Sequence, residues 1–152
     1  MADEDRSISG NNRYNIERQM IKAVLSLGSN CGFRQKNLED AIKWISSICD
    51  LVCSSSFYFS PDIKGTGNPY LNAVIEVAFD GGVEDLNSQL KDYELKAGRD
   101  EQCRDNSLVP IDIDIVMADS KIIRQKDFNS SYFKKGFQEL KSLSGNEIMI
   151  PS

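Results

Sequence analysis

The chain contains no histidine, which removes the usual companion of cysteine in a zinc site and leaves Cys31, Cys49, Cys53 and Cys103 without one. Cys49 and Cys53 are close in sequence, but Cys53 opens an alternating, strand-like run, so a metal clip is not the reading. Any apolar run near the ~20 residues of a bilayer crossing is also missing. The N-terminus lacks the basic-then-apolar order of a secretory signal. A cytoplasmic protein with free thiols is the expectation, because a domain of this size without export has no need of disulfides. Basic clusters are absent as well: Lys and Arg are scattered through a chain of net charge −5, which gives a nucleic-acid backbone no footprint. Neither an internal repeat nor a low-complexity segment is visible.

What is present is ordinary globular material. Apolar residues make up 40% and charged residues 27% of the 152, enough for one core and thin for two. Residues 1–20 mix charges with Ser, Gly and Asn without an apolar period, and are expected to form a mobile arm. The domain is expected over 21–144, followed by a loose tail at 145–152.

Ala23, Val24, Leu25 and Leu27 form a short apolar run ending at Gly28-Ser29-Asn30, the pattern of a buried strand entering a turn. Leu38, Ala41, Ile42 and Ile45 then follow helical spacing. Leu51 to Phe59 reads as a second strand and the stretch from Pro61 to Pro69 as a loop. In the third strand, Leu71, Ala73, Ile75, Val77 and Phe79 alternate with Tyr70, Asn72, Val74, Glu76 and Ala78. Val83, Leu86, Leu90, Tyr93 and Ala97 mark a second helix ending at Gly98. Ile111, Ile113, Ile115 and Met117 make one face of a fourth strand and Asp112 and Asp114 the other. The order βαββαβ predicts an α/β (α+β) ferredoxin-like sandwich, with helices on one sheet face, the other face open, and a short C-terminal extension. In that extension Lys121 to Arg124 reads as a short strand, and Tyr132 to Leu140 as either a helical turn or a strand.

The open face carries the chemistry. Asp112 and Asp114, two apart on a strand, project their carboxylates from one face with Cα atoms about 6.5 Å apart. Magnesium takes one or two carboxylates together with phosphate oxygens and water. Any exposed strand can carry two acids, yet two adjacent carboxylates without a cation repel one another and cost stability. Tyr70 and Asn72 offer a flat ring beside an amide that both donates and accepts, which suits a flat heteroaromatic ring. Read alone, the same pair is a tyrosine over a sheet edge and an asparagine near a turn.

Leu27-Gly28-Ser29-Asn30, Tyr70-Leu71-Asn72-Ala73, Glu94 with Gly98-Arg99, and Asp112-Ile113-Asp114-Ile115 together resemble, in order and spacing, the 6-hydroxymethyl-7,8-dihydropterin pyrophosphokinases of folate synthesis. The resemblance implies a pterin ring stacked between Tyr70 and Phe137 with Asn72 on its polar edge. It implies two magnesium ions on Asp112 and Asp114, ATP as co-substrate beside Glu94, Arg99, Ile115 and Tyr132, and catalytic help from Arg99 and Lys135. No nucleic acid or membrane partner is expected, and a monomer is. The sequence departs from the family between Arg99 and Asp112, where an arginine-rich loop with a tryptophan is usual and only Arg104 is basic here. Ser131-Tyr132 stands in place of the family's Pro-His, and Lys135 in place of an arginine. Two other readings follow from these departures: a relative that binds pterin or nucleotide without catalysis, and a ferredoxin-like domain whose open face meets a protein.

Overall fold

The computed structural model describes residues 20–61, 68–98, 103 and 108–143. In chain order it contains β1 (Met20–Ser29), α1 (Arg34–Ile48), β2 (Asp50–Ser54), β3 (Tyr58–Ser60), β4 (Tyr70–Asp80) and α2 (Val83–Ala97). Then follow β5 (Asp112–Ala118), β6 (Lys121–Ile122), α3 (Gln125–Phe128) and α4 (Ser131–Leu143). The strands form one sheet in the order β2-β4-β1-β5-β6, with β3 also on β4, and every pairing is antiparallel. The fold is α+β.

Two cores sandwich this sheet. On one face Leu38, Ala41 and Ile45 of α1, with Leu86 and Leu90 of α2, pack on Leu25, Leu27, Ala73, Ile75, Val77 and Ile113. These are the residues that helical and period-two spacing set apart as apolar, so burial of each stripe drives the association. Trp44 and Tyr93 stack across the two helices with ring centroids 4.5 Å apart.

The other face is not open along its length. Phe133, Phe137 and Leu140 of α4 pack there on Val24, Val74, Val116 and Met117. The segment that allowed either a helical turn or a strand is thus a 13-residue helix. Val24 and Val74 supply an apolar seat on a face that the alternation marks as polar. Met117 sits in this second core rather than with Ile111, Ile113 and Ile115, because a bulge opposite Val24/Leu25 inserts an extra residue into β5 and flips everything beyond it.

Two further boundaries differ from the sequence pattern. The second strand is broken into β2 and β3 by Ser55, Ser56 and Phe57. Ser55 turns inward, its hydroxyl accepting from the Val74 N–H at 2.9 Å. Met20 belongs to β1 rather than to an arm; residues 1–19, most of the loop read over 61–69, and the tail at 145–152 lie outside the described residues.

Free thiols hold for Cys49 and Cys53, whereas Cys31 and Cys103 form a disulfide across 72 residues. Burial, then the charge of Asp50, pushes the Cys49 thiol up to about 11, so it remains protonated. The Cys31–Cys103 link fastens the turn after β1 to the chain that leads into β5, and closing so long a loop removes many conformations from the unfolded chain. Reduction, or Cys103→Ser, is expected to lower stability by about 2–4 kcal/mol. Denaturant midpoints of oxidised and reduced protein measure this, and equal midpoints would remove the disulfide from the account.

Candidate functional site

Strand register builds the site. Gly28 lies opposite Asn72 on β4 and opposite Asp112 on β5, so amide, glycine and carboxylate form one row across three strands. The next row on the same face holds Ser26 between Val74 and Asp114. β3 extends the first row, since Tyr58 pairs with Asn72 and Ser60 with Tyr70.

The row stays in register because the turn after β1 is pinned to the strand entering β5. Asn30 is buried; its N–H donates to the Val109 carbonyl at 3.0 Å and its Oδ1 accepts from the Val109 N–H at 2.7 Å. Asn37 donates to the Cys31 carbonyl at 2.9 Å, which ties the same turn to α1.

A cavity of about 200 Å³ opens over these rows, with Ser26, Gly28, Tyr70, Asn72, Asp112 and Asp114 as floor and wall. Ser60 and Pro61 close one side and Tyr132 of α4 the other. Gly28 is what keeps the floor low: a Cβ there would stand 3.2 Å from the Tyr70 ring and 3.3 Å from Asn72 Oδ1. Gly28→Val is therefore expected to fill the cavity and cut the affinity for a flat ring seated there by roughly tenfold or more, on the scale of a clash built against a ligand. Fluorescence titration with the pterin that the resemblance implies measures it, and an unchanged Kd would place that ligand elsewhere.

Asn72 presents one defined edge. Its Nδ2 donates to the Tyr58 carbonyl at 3.2 Å and to Ser60 Oγ at 2.7 Å, which uses both amide protons. Oδ1 is left towards the cavity as an acceptor.

The carboxylates are held by α2. β6 pairs with Met117 and Ala118, so among the described residues the outer edge of β5 at Ile113 meets no strand. Side chains satisfy it instead: the Ile113 N–H donates to Glu94 Oε2 at 2.6 Å, and Lys91 Nζ donates to the Ile113 carbonyl at 2.8 Å. Lys91 also lies 3.1 Å from Asp114 Oδ1 and 2.9 Å from Glu94 Oε2, and Arg124 lies 3.9 Å from Asp114 Oδ1. The repulsion expected between two bare aspartates is thus partly relieved within the chain. Among the described residues these ion pairs reach Asp114 and not Asp112.

Asp112 keeps surface open to solvent, yet the protein around it strips enough water to push its carboxyl up to about 7, with the charges of Asp114 and Glu94 adding to the effect. A carboxyl so crowded by negative charge favours a proton or a metal ion. Among the described residues no three His, Cys, Asp or Glu converge as an all-protein metal cage. Magnesium does not require one when phosphate oxygens complete its shell. The hard oxygens of Asp112 and Asp114 at the cavity rim fit that ion.

The expected residues separate into three groups. Tyr70, Asn72, Asp112, Asp114 and Tyr132 meet at the cavity, with Glu94 behind Asp112. Phe137 does not: it is 4% exposed in the core beneath α4, stacked on Phe133 at 5.3 Å, because the helix turns it onto the sheet. Lys135 is exposed on α4 with its Nζ 5.3 Å from the centroid of the Tyr58 ring, away from the aspartates. Ile115 is buried in the first core and reaches only a separate groove beside Arg124. Arg99 and Arg104 lie outside the described residues.

Sequence reasoning passed over Ser26, Ser60, Lys91 and Arg124. Lys91 carried a signal, one helical turn before Glu94 on the α2 face towards β5. Arg124 carried none, since its approach to Asp114 depends on the β5–β6 turn.

Fold and site together define a small α+β domain with an acidic, amide-lined cleft for a small molecule. Residues 24–144 match the family model of 7,8-dihydro-6-hydroxymethylpterin-pyrophosphokinase, and the chain belongs to that family. A comparison with curated proteins gives no match. Membership makes this a kinase-type transferase domain of folate synthesis. No helix among the described residues is long and apolar enough to cross a membrane.

Proposed function

We propose that the protein transfers pyrophosphate from ATP to 6-hydroxymethyl-7,8-dihydropterin and releases AMP. The observation that carries this reading is the row Asn72–Gly28–Asp112, which sets an amide on β4 and a carboxylate on β5 on either side of β1, a spacing that supports a ring at the amide and phosphates at the carboxylate. The pterin ring would lie over Gly28, against Tyr70, with its N–H edge donating to Asn72 Oδ1. Tyr132 takes the place on the α4 side that the resemblance gives to Phe137. Its hydroxyl donates to Asp127 at 2.8 Å, which holds the ring in position.

In the transfer, the hydroxymethyl oxygen attacks the β-phosphorus and gives up its proton to water, the bond from that phosphorus to the α-phosphate oxygen breaks, and AMP leaves with that oxygen. Asp112 and Asp114 would hold magnesium, which neutralises charge on the triphosphate. The chain itself contributes position: the cavity aligns acceptor and donor, and the near absence of basic residues over 100–109 leaves most charge balance to the β5 end.

Phosphorus NMR of the protein with magnesium, ATP and the pterin tests the reaction type. AMP with a pterin diphosphate is the expected outcome. ADP would indicate transfer of a single phosphoryl group and contradict the proposal. Bound pterin with no turnover would favour the second reading, a binding relative, which the single arginine between residues 100 and 109 supports.

A further inference from the structure

Asp114 already has a positive partner built into the chain. Lys91 directs its ammonium to Asp114 Oδ1, Glu94 Oε2 and the Ile113 carbonyl at 3.1, 2.9 and 2.8 Å, three acceptors for three N–H donors. The group is fixed rather than free to swing aside. Arg124 brings a second cation to the same Oδ1 at 3.9 Å. A divalent ion on that oxygen would stand within a few ångströms of both, like charge against like charge.

Asp112 has the opposite surroundings. Its charged neighbours Asp114 and Glu94 are negative; Lys91 and Arg124 also act on its charge, but among the described residues neither forms an ion pair with it, and Lys91 is already saturated by other acceptors. The two aspartates of the pair are therefore not equivalent, although the sequence presents them as a symmetric D-x-D.

We infer that Lys91 takes the place of one of the two divalent cations that the pair would otherwise hold, so that Asp112 and Asp114 would together hold a single ion. The inference rests on the nucleotide reading proposed above. Lys91 becomes a positioning residue: it keeps a permanent positive charge where the second ion would sit and orients Asp114 towards the first. Edge capping of Ile113 accounts for one of its three contacts and requires no ion pair with Asp114. The two roles therefore differ in what happens to the metal count.

The test counts Mn2+ by electron paramagnetic resonance in the complex of the whole protein with α,β-methylene ATP. Wild type is expected to hold one Mn2+ per bound nucleotide, Lys91→Met two, and Lys91→Arg one, with circular dichroism confirming that each variant is folded. Two ions in wild type would overturn the inference while leaving the nucleotide reading intact, and this arm needs no variant. One ion in folded Lys91→Met would overturn it as well. No binding of the analogue at any Mn2+ concentration would overturn the nucleotide reading and the inference together.

Discussion

Asp112→Asn is expected to slow AMP formation by roughly a hundredfold to a thousandfold, the scale of losing one charge-stabilising group at a reacting centre. It is also expected to make the ligand-free protein more stable at pH 8. Both effects come from the same crowding. The folded carboxyl, pushed up to about 7, sits well above the ordinary aspartate value of 3.8 that serves for the unfolded chain. The folded state therefore binds more protons between those values, and stability falls as pH rises from about 4 through 7. The aspartate's contribution is fully present at the acid end and lost above the folded pKa. Asparagine removes that slope and, with it, the carboxylate proposed to hold magnesium. Thermal midpoints without metal at pH 5, 6, 7 and 8 measure it: wild type should lose stability across the series more steeply than the variant. Parallel curves would sink this account of the site's electrostatics. The proton competes with the ion, so metal should bind more tightly at pH 8 than at pH 6.

Gly136→Val is expected to cost about 3 kcal/mol, the upper part of the range for overpacking. A Cβ at this position would meet Val74 Cγ2 at 2.5 Å and Tyr58 Oη at 2.6 Å. Neither neighbour has room to withdraw. Val74 is fully buried in β4, and Tyr58 is 8% exposed with its hydroxyl donating to the Tyr132 carbonyl. Gly136 thus sets how closely α4 approaches the sheet, and with it how far Tyr132 reaches over the cavity. A lower urea midpoint together with weaker pterin binding is the expected pair of results. An unchanged midpoint would show that α4 does not seat as described.

The sequence carried the first core well because period-two and helical spacing report burial directly. The alternation in β4 places Leu71, Ala73, Ile75, Val77 and Phe79 on one face, and all five lie in that core. Asp112 and Asp114 share the cavity face for the same reason. The second core was harder to read. Its helix α4 has a glycine in mid-sequence, and Val74 reads as a member of a polar face until α4 covers it.

Phe137 shows the limit most clearly. A Lys-Gly-Phe match points to a ring over the substrate, whereas helical geometry turns that ring inward beside Phe133. The Cys31–Cys103 disulfide was equally hidden, since a separation of 72 residues carries no local signal. Glu94 was legible from the family pattern, but the part it shares with Lys91 becomes visible only once β5 is seen to have, among the described residues, no strand at its outer edge by Ile113, which depends on β6 being two residues long.

The measurement that bears most directly on the site is pterin affinity by fluorescence titration for two variants, Asn72→Leu and Phe137→Leu, each first checked for folding by circular dichroism. Asn72→Leu removes the acceptor facing the cavity and should weaken binding at least about tenfold, the scale of an unpaired hydrogen-bonding edge. Phe137→Leu should lower stability by about 1 kcal/mol and leave Kd within about twofold, because the ring lies in the core under α4. Weak binding in Phe137→Leu with normal binding in Asn72→Leu would contradict the account and return the ring site to the place the sequence first suggested.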